Sequence, residues 1–242
     1  VSAVPVVRVS PVLVAGTSGG RGRARRRLGV AEEQVLFLFV FDFLSIVERK
    51  NPMGLIEAFR RAFRPTDPAR LVIKCVNPEV DPVAMQALRM RAHGFPIEIV
   101  AGYWSSEEMS DLYAACDAYV SLHRSEGTGL TIAEAMAHGK PVVATGWSGN
   151  ADFMSASNSF PVSYQLVALT EDVGPYRRGE LWAEASIEHA AELMRSIVHD
   201  PVAAAARGAA AAKDVTEFFS VERVAALIER RLRMIEHLRA WP

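Results

Sequence analysis

The sequence predicts an α/β fold built on a doubly wound parallel sheet of about six strands with flanking helices. Two observations carry that expectation. Apolar runs of strand length recur along the chain, Val35–Phe41 being the longest, and a continuous apolar run marks a strand covered on both faces. Between the runs lie amphipathic stretches that open on capping residues, so strand and helix alternate as crossover-connected parallel strands do. Ligands of such sheets bind beyond the carboxyl ends of the strands, near the point where strand order reverses. Function is therefore sought in the loops after the first four strands.

Val35–Phe41 is the first strand. Asn51 caps the helix that follows, with Pro52 at its first position and Leu55, Ile56 and Phe59 on one face. Leu71–Cys75 is the second strand, Asp81-Pro82 opens the next helix, and Ile97–Val100 is the third strand. Ser105 and Glu108 form a capping box for a helix over Ser106–Ala115. Ala118–Leu122 is the fourth strand. A helix over Leu130–His138 ends at Gly139, and Pro141–Thr145 is the fifth strand. Ser159–Val162 is a weaker sixth. Helices close the chain over Ser186–Val198, an alanine-rich stretch from Pro201, and Val221–Leu238 after the cap Ser220. The last carries Val224, Leu227, Ile228, Leu232 and Ile235 on one apolar face, which is expected to pack on this domain or on a partner.

The 242 residues are 50% hydrophobic and 23% charged, a balance that excludes wholesale disorder. Lys and Arg number 27 against 28 Asp and Glu, so net charge offers no case for nucleic-acid binding. Two cysteines, Cys75 and Cys116, are too few for a disulfide framework or a four-thiolate zinc site and read as inert buried thiols. The longest apolar run is far shorter than the ~20 residues of a membrane span. Pro5, Arg8 and Pro11 interrupt the first apolar stretch, against a signal peptide. A cytoplasmic, reducing compartment is expected. Arg21, Arg23, Arg25, Arg26 and Arg27 follow a flexible glycine-rich stretch. They read as a solvated linker or short helix, with a contact to anionic lipid or a partner's acidic face as the alternative. Peripheral membrane association stays open on that reading.

One loop concentrates chemistry: His123-Arg124-Ser125-Glu126-Gly127-Thr128-Gly129-Leu130-Thr131, leaving the fourth strand and entering a helix. Gly127 and Gly129 allow tight backbone and close approach to a ligand. Free amides of Leu130, Thr131 and Ile132 at the helix N-terminus suit a phosphate. Glu134 lies one turn along and can accept two hydrogen bonds from ribose hydroxyls, while Glu126 sits before the turn. A plain turn before a helix with a solvated glutamate is the bland alternative on spacing alone.

The segment from Glu126 to Glu134 resembles the E-x7-E signature of the family 4 retaining glycosyltransferases, which have a GT-B fold. The likeness continues through Ala135-Met136-Ala137-His138-Gly139-Lys140-Pro141-Val142-Val143-Ala144-Thr145. Upstream, Glu48-Arg49-Lys50-Asn51-Pro52 and Leu112-Tyr113-Ala114-Ala115-Cys116-Asp117-Ala118 are similar to segments of that family's donor domain. The resemblance implies the C-terminal half of a GT-B fold: a lead-in over 1–30, a Rossmann-like nucleotide-sugar-binding domain over 31–220, and a C-terminal helix over 221–242. It implies that Glu126 lies near the donor sugar and Glu134 holds the ribose. Gly127, Thr128, Gly129, Leu130 and Thr131 would face sugar and diphosphate, with Lys50 neutralising the diphosphate and Arg49 as a second basic contact. Asn77 and Tyr103 or Trp104 are where base contacts are expected.

The donor implied is a UDP-, GDP- or ADP-sugar, with no other cofactor. No Asp-x-Asp occurs and no His/Asp cluster has ligand spacing, so metal-independent transfer is expected. The acceptor, a glycan or lipid-linked group, is expected to bind an N-terminal domain outside this chain, and polysaccharide biosynthesis is the setting implied. Thr128 stands where an aromatic is frequent in that family, and Asp42-Phe43-Leu44-Ser45 where an arginine often follows the first strand. A sugar-nucleotide epimerase, a pyridoxal-dependent phosphorylase and a binding-only subunit remain as alternatives. A dehydrogenase does not, because no G-x-G-x-x-G follows the first strand.

Overall fold

Phe37, Phe39 and Phe41 alternate with Leu36, Leu38 and Val40 along β1 (Val35–Asp42), and five of these six side chains are buried, Val40 being only partly so. A strand apolar on both faces needs a layer on each, and that sets the architecture. The computed structural model describes residues 20–239. β1 pairs in parallel with β2 (Ala69–Val76) on one side and β4 (Ala118–Ser121) on the other. With β3 (Ile97–Ala101), β5 (Val142–Thr145) and β6 (Phe160–Val162), the six-stranded order is β3-β2-β1-β4-β5-β6. Strand order reverses between β1 and β4, and the loops after these two strands flank that point.

The Phe37 face of β1 meets α3 (Pro52–Ala62), whose Phe59 ring lies 6.1 Å away edge-on, and Phe63 beyond it at 5.4 Å. α4 (Pro82–Ala92) and α7 (Ile187–His199) pack beside α3. The opposite face is covered by α5 (Ser106–Ala115) and α6 (Leu130–Ala137), against which α8 (Pro201–Phe218) packs. Ser105 and Glu108 close the expected capping box, and Gly139, at φ +68°, terminates α6. Cys75 and Cys116 are buried free thiols whose pKa values burial pushes up to about 11 and about 12.

Three features differ from the sequence expectation. The arginine run, where it falls in the described residues, is a docked helix and not a solvated one. α1 (Arg21–Arg27) lies on α5, with Arg23 bonded to Asp111 and Glu107, Arg27 to Glu108, and Arg21 to Asp117. Arg25 is fully buried and donates to the carbonyls of Ala31, Gln34 and Ala115 and to Asp117. The acidic face that these arginines meet belongs to their own domain. Second, an antiparallel hairpin, β7 (Tyr164–Ala168) and β8 (Leu181–Ala185), follows β6. Third, α9 (Val221–Arg239) buries only Val224 of its expected apolar face; Ile228 and Leu232 are exposed. The expectation that this face packs on the domain is met only at Val224. The expected lead-in over residues 1–19 lies outside the described residues.

Removing one partner of a buried ion pair is strongly destabilising, by about 3–5 kcal/mol. Arg25→Ala leaves Asp117 and three carbonyls short of a donor and is expected to lose stability on that scale in urea denaturation. Arg26→Ala, at an exposed position one residue on, is expected to stay within about 0.5 kcal/mol of wild type.

Candidate functional site

The chain leaves β1 through a short 3-10 turn (Phe43–Ser45) and one helical turn, α2 (Val47–Lys50), before Asn51 starts α3. Asn51 stands in the left-handed region at φ 52° and is buried. Its carboxamide oxygen caps Gly54 N–H, while its nitrogen donates to the Leu122 carbonyl at 2.9 Å. One side chain thus joins the end of β4 to the start of α3, across the switch point. Beside it, Arg124 N–H donates to the Arg49 carbonyl, and the Arg124 guanidinium bonds both the Glu48 carbonyl and the Glu184 carboxylate on β8. The hairpin is held to the loop by that pair.

This zipper delivers Lys50 to Glu126. Lys50 Nζ donates to Glu126 Oε2 at 2.5 Å, and the two side chains are 12% and 13% exposed. Burial alone would raise the Glu126 pKa, but Lys50, with Arg49 further off, holds it below the ordinary carboxylate range. Arg49 lies 3.7 Å from Glu126 Oε1 but spends its donors on the carbonyls of Ser45 and Ser125. It braces the loop.

From Glu126 the loop turns at Gly129, whose φ of +80° serves as the N-cap of α6 without any side-chain cap. The first-turn amides of α6 therefore have no side-chain acceptor among the described residues. Leu130 is exposed there, Thr128 half-buried. Tyr119 OH donates to Thr131 Oγ1 at 2.9 Å and so fixes the first turn to β4. Glu134, one turn along, is held by the buried Tyr113, whose hydroxyl donates to Oε2 at 2.7 Å. Tyr113 in turn stacks on His138 at 5.3 Å. Asn77 and Tyr103 form a chain on the β2–β3 side: Tyr103 OH donates to Asn77 Oδ1 and Asn77 Nδ2 to Asp42 Oδ1. Trp104 is packed under the Arg27 guanidinium, 4.0 Å from its ring centre. Among the described residues, no three His, Cys, Asp or Glu side chains are grouped so as to hold a metal ion.

Two supports of the site were not visible in the sequence reading. His123 is fully buried, its Nε2 against the Trp147 carbonyl and its Nδ1 against Ser121 Oγ, each at 3.1 Å. With a carbonyl facing Nε2, that nitrogen is assigned the proton. Burial lowers the His123 pKa, keeping the ring neutral. Ser148 has φ 78° and ψ −153°, a region essentially reserved for glycine. Its hydroxyl donates to the Glu126 carbonyl at 2.6 Å and accepts from Glu126 N–H at 3.1 Å. Gly149 is obligatory next to it: a Cβ there would lie 1.8 Å from the Gly127 carbonyl oxygen. The only sequence signal for either is that the loop follows a strand adjoining the switch point.

The sheet order, with a helix N-terminus at its switch point, defines a doubly wound, Rossmann-like α/β domain. Comparison places it in a family. The sequence model described as "Glycosyl transferases group 1" matches residues 34–171, and the chain belongs to that family. It is 36% identical over 141 residues to a D-inositol 3-phosphate glycosyltransferase of Geodermatophilus obscurus, covering 55% of this chain and 30% of that protein. It is 28% identical over 122 residues to an alpha-monoglucosyldiacylglycerol synthase of Streptococcus pneumoniae, covering 50% and 26%. The matched stretch thus spans less than a third of either relative. Among solved structures, Anabaena HepE in complex with UDP and glucose aligns with a TM-score of 0.67 at 19% identity, over 88% of this chain and 51% of that one. The C-terminal domain of a group 1 glycosyl transferase, LpcC of Francisella tularensis, aligns with a TM-score of 0.62 at 17% identity, over 83% and 93%. These likenesses establish the Rossmann-like fold of GT-B glycosyltransferases.

A His whose folded pKa is lowered stays neutral in the native state while the unfolded chain takes up the proton first. Stability is then complete above about pH 6.5 and falls below it. Thermal denaturation between pH 8 and 5 is expected to show Tm falling on that acidic limb, and His123→Gln to flatten it. Ser148→Gly relieves the strain but loses two hydrogen bonds, whereas Ser148→Ala loses them and keeps the strain. The alanine variant is expected to be the less stable of the two by about 1–3 kcal/mol in urea.

Proposed function

We propose that this chain is the donor-binding half of a retaining glycosyltransferase of family 4, which transfers a sugar from a nucleoside-diphosphate sugar to an acceptor. The observation that supports this best is the pairing of Glu126 and Glu134 on either side of the uncapped N-terminus of α6. In this reading the diphosphate lies on the amides of Leu130, Thr131 and Ile132. Glu134, with Oε2 already held by Tyr113, takes the ribose hydroxyls. Asn77 and Tyr103 border the base, and Gly127, Thr128 and Gly129 the sugar.

Breaking the anomeric bond builds negative charge on the leaving phosphate. Lys50 and the α6 N-terminus are fixed positive groups at that place, and preorganised charge of this kind lowers the barrier. Lys50 carries three donors, so it can keep Glu126 and still donate to a phosphate oxygen. Glu126 is ionised and lies beside the sugar, where a carboxylate stabilises positive charge developing at the anomeric carbon. The basic groups do the neutralising, so transfer without a metal is part of the proposal. The acceptor is assigned to a further, N-terminal domain, in line with the share of each relative that the match covers.

Isothermal titration of the 242-residue chain with nucleoside diphosphates tests this reading. At least one is expected to bind in the absence of divalent metal, and Glu134→Ala to weaken it by at least about tenfold, the worth of 1.4 kcal/mol. Binding that Glu134→Ala leaves untouched would contradict it.

A further inference from the structure

Lys74 is out of place in its strand. β2 reads Leu71-Val72-Ile73-Lys74-Cys75 through the middle of the sheet, and Lys74 is only 1% exposed. Lysine is almost never fully buried unless paired with a carboxylate, and among the described residues Lys74 forms no ion pair. Its ammonium donates to the backbone carbonyls of Cys75, at 3.2 Å, and of Gly102, and lies 5.4 Å from the centre of the Trp104 ring. The nearest acid on that side, Glu108, is taken by Arg27, which covers the other part of the tryptophan. Burial lowers the Lys74 pKa, which shows the position works against the charge.

Although almost wholly buried, the side chain borders open space. It lines a cleft of about 280 Å³ together with Asp42, Lys50, Tyr103, Trp104 and Thr131. On the reading above, Lys50 and Thr131 belong to the diphosphate end of this cleft, which also takes in Tyr103 and Trp104. A nucleotide with its phosphates on α6 and its ribose on Glu134 therefore carries its base into this cleft.

We propose that Lys74 selects the nucleobase of the donor, admitting a base that presents a keto oxygen and rejecting one that presents an exocyclic amine at the same position. The inference rests on the nucleotide-sugar reading above. Its reason is the donor and acceptor inventory of the inner wall. The Cys75 carbonyl accepts from both the ammonium and Gly102 N–H, and the Gly102 carbonyl accepts from the ammonium, so an amine would have to share the Gly102 carbonyl with a charged donor. An ammonium has three hydrogens and no acceptor, so one hydrogen of Lys74 is left to donate to the base. The O4 of uracil or the O6 of guanine accepts it. The N4 amine of cytosine or the N6 amine of adenine would meet it donor to donor, and a buried polar group left unpaired is what makes such discrimination steep. Asp42 is the acidic side chain in the cleft, and its Oδ1 already accepts from Leu44 N–H and Asn77.

Isothermal titration of the 242-residue chain with UDP, CDP, GDP and ADP decides it, because each keto/amino pair keeps the ring size and phosphates constant. UDP is expected to bind at least about tenfold tighter than CDP, and GDP than ADP. Lys74→Met, which keeps the chain length and removes the donor, is expected to bring each pair to parity. Glu134→Ala is expected to weaken all four alike. If wild type binds ADP or CDP as tightly as its keto counterpart, or if Lys74→Met keeps the ratios, the selection is overturned while the donor site stands. If none of the four binds, both fall. The wild-type ratios can overturn the selection even if Lys74→Met does not fold.

Discussion

The Lys50–Glu126 ion pair spans the gap where strand order reverses, and the site is organised around it. A carboxylate only 13% exposed would be expensive to hold ionised without a partner. Its partner comes from the end of α2, so the loops after β1 and β4 must be locked to one another. Asn51, Arg49 and Arg124 do this by donating to backbone carbonyls on the opposite side. These contacts tie position to backbone and do not draw on the Lys50–Glu126 pair.

The same region holds the least comfortable conformations in the domain. Ile46, Asn51, Asn77 and Ser148 all have positive φ without being glycine, and each lies in a loop at the carboxyl end of the sheet. Buried His123, kept neutral, braces the loop from beneath. Strain and buried polar groups gathered at one end of an otherwise apolar sheet mark where folding stability is set against function. A wider cleft of about 710 Å³ opens between α3 and α7, bordered by Phe63, Asp67, Arg195 and His199. It has none of these features: Arg195 is committed to Glu188 and the Arg61 carbonyl. Size alone does not locate the chemistry.

The sheet was legible because buried parallel strands are written as unbroken apolar runs, and the helices because their caps are local. Ser105 with Glu108, and Asn51 with Pro52, act within four residues of chain. What was not legible depends on distant partners or on backbone angles. Arg25 reads as solvated until Asp117, 92 positions away, is brought beside it. The hairpin is half-exposed, with Leu166, Val167 and Leu181 open to solvent, so it lacks a core strand's run. The pair Glu126 and Glu134 was readable by spacing and resemblance, but the hold of Tyr113 on Glu134 and of Ser148 on Glu126 was not. Lys74 was read as part of an apolar strand, and only the fold exposes it to a cleft.

Backbone amide shifts during a titration with UDP, followed by 15N-resolved NMR, test the α6 N-terminus as the diphosphate site most directly. The geometry requires the largest changes at Gly129, Leu130, Thr131 and Ile132, with smaller ones along the Lys74–Trp104 cleft. Changes centred on the cleft between α3 and α7, with the α6 amides unmoved, would contradict it.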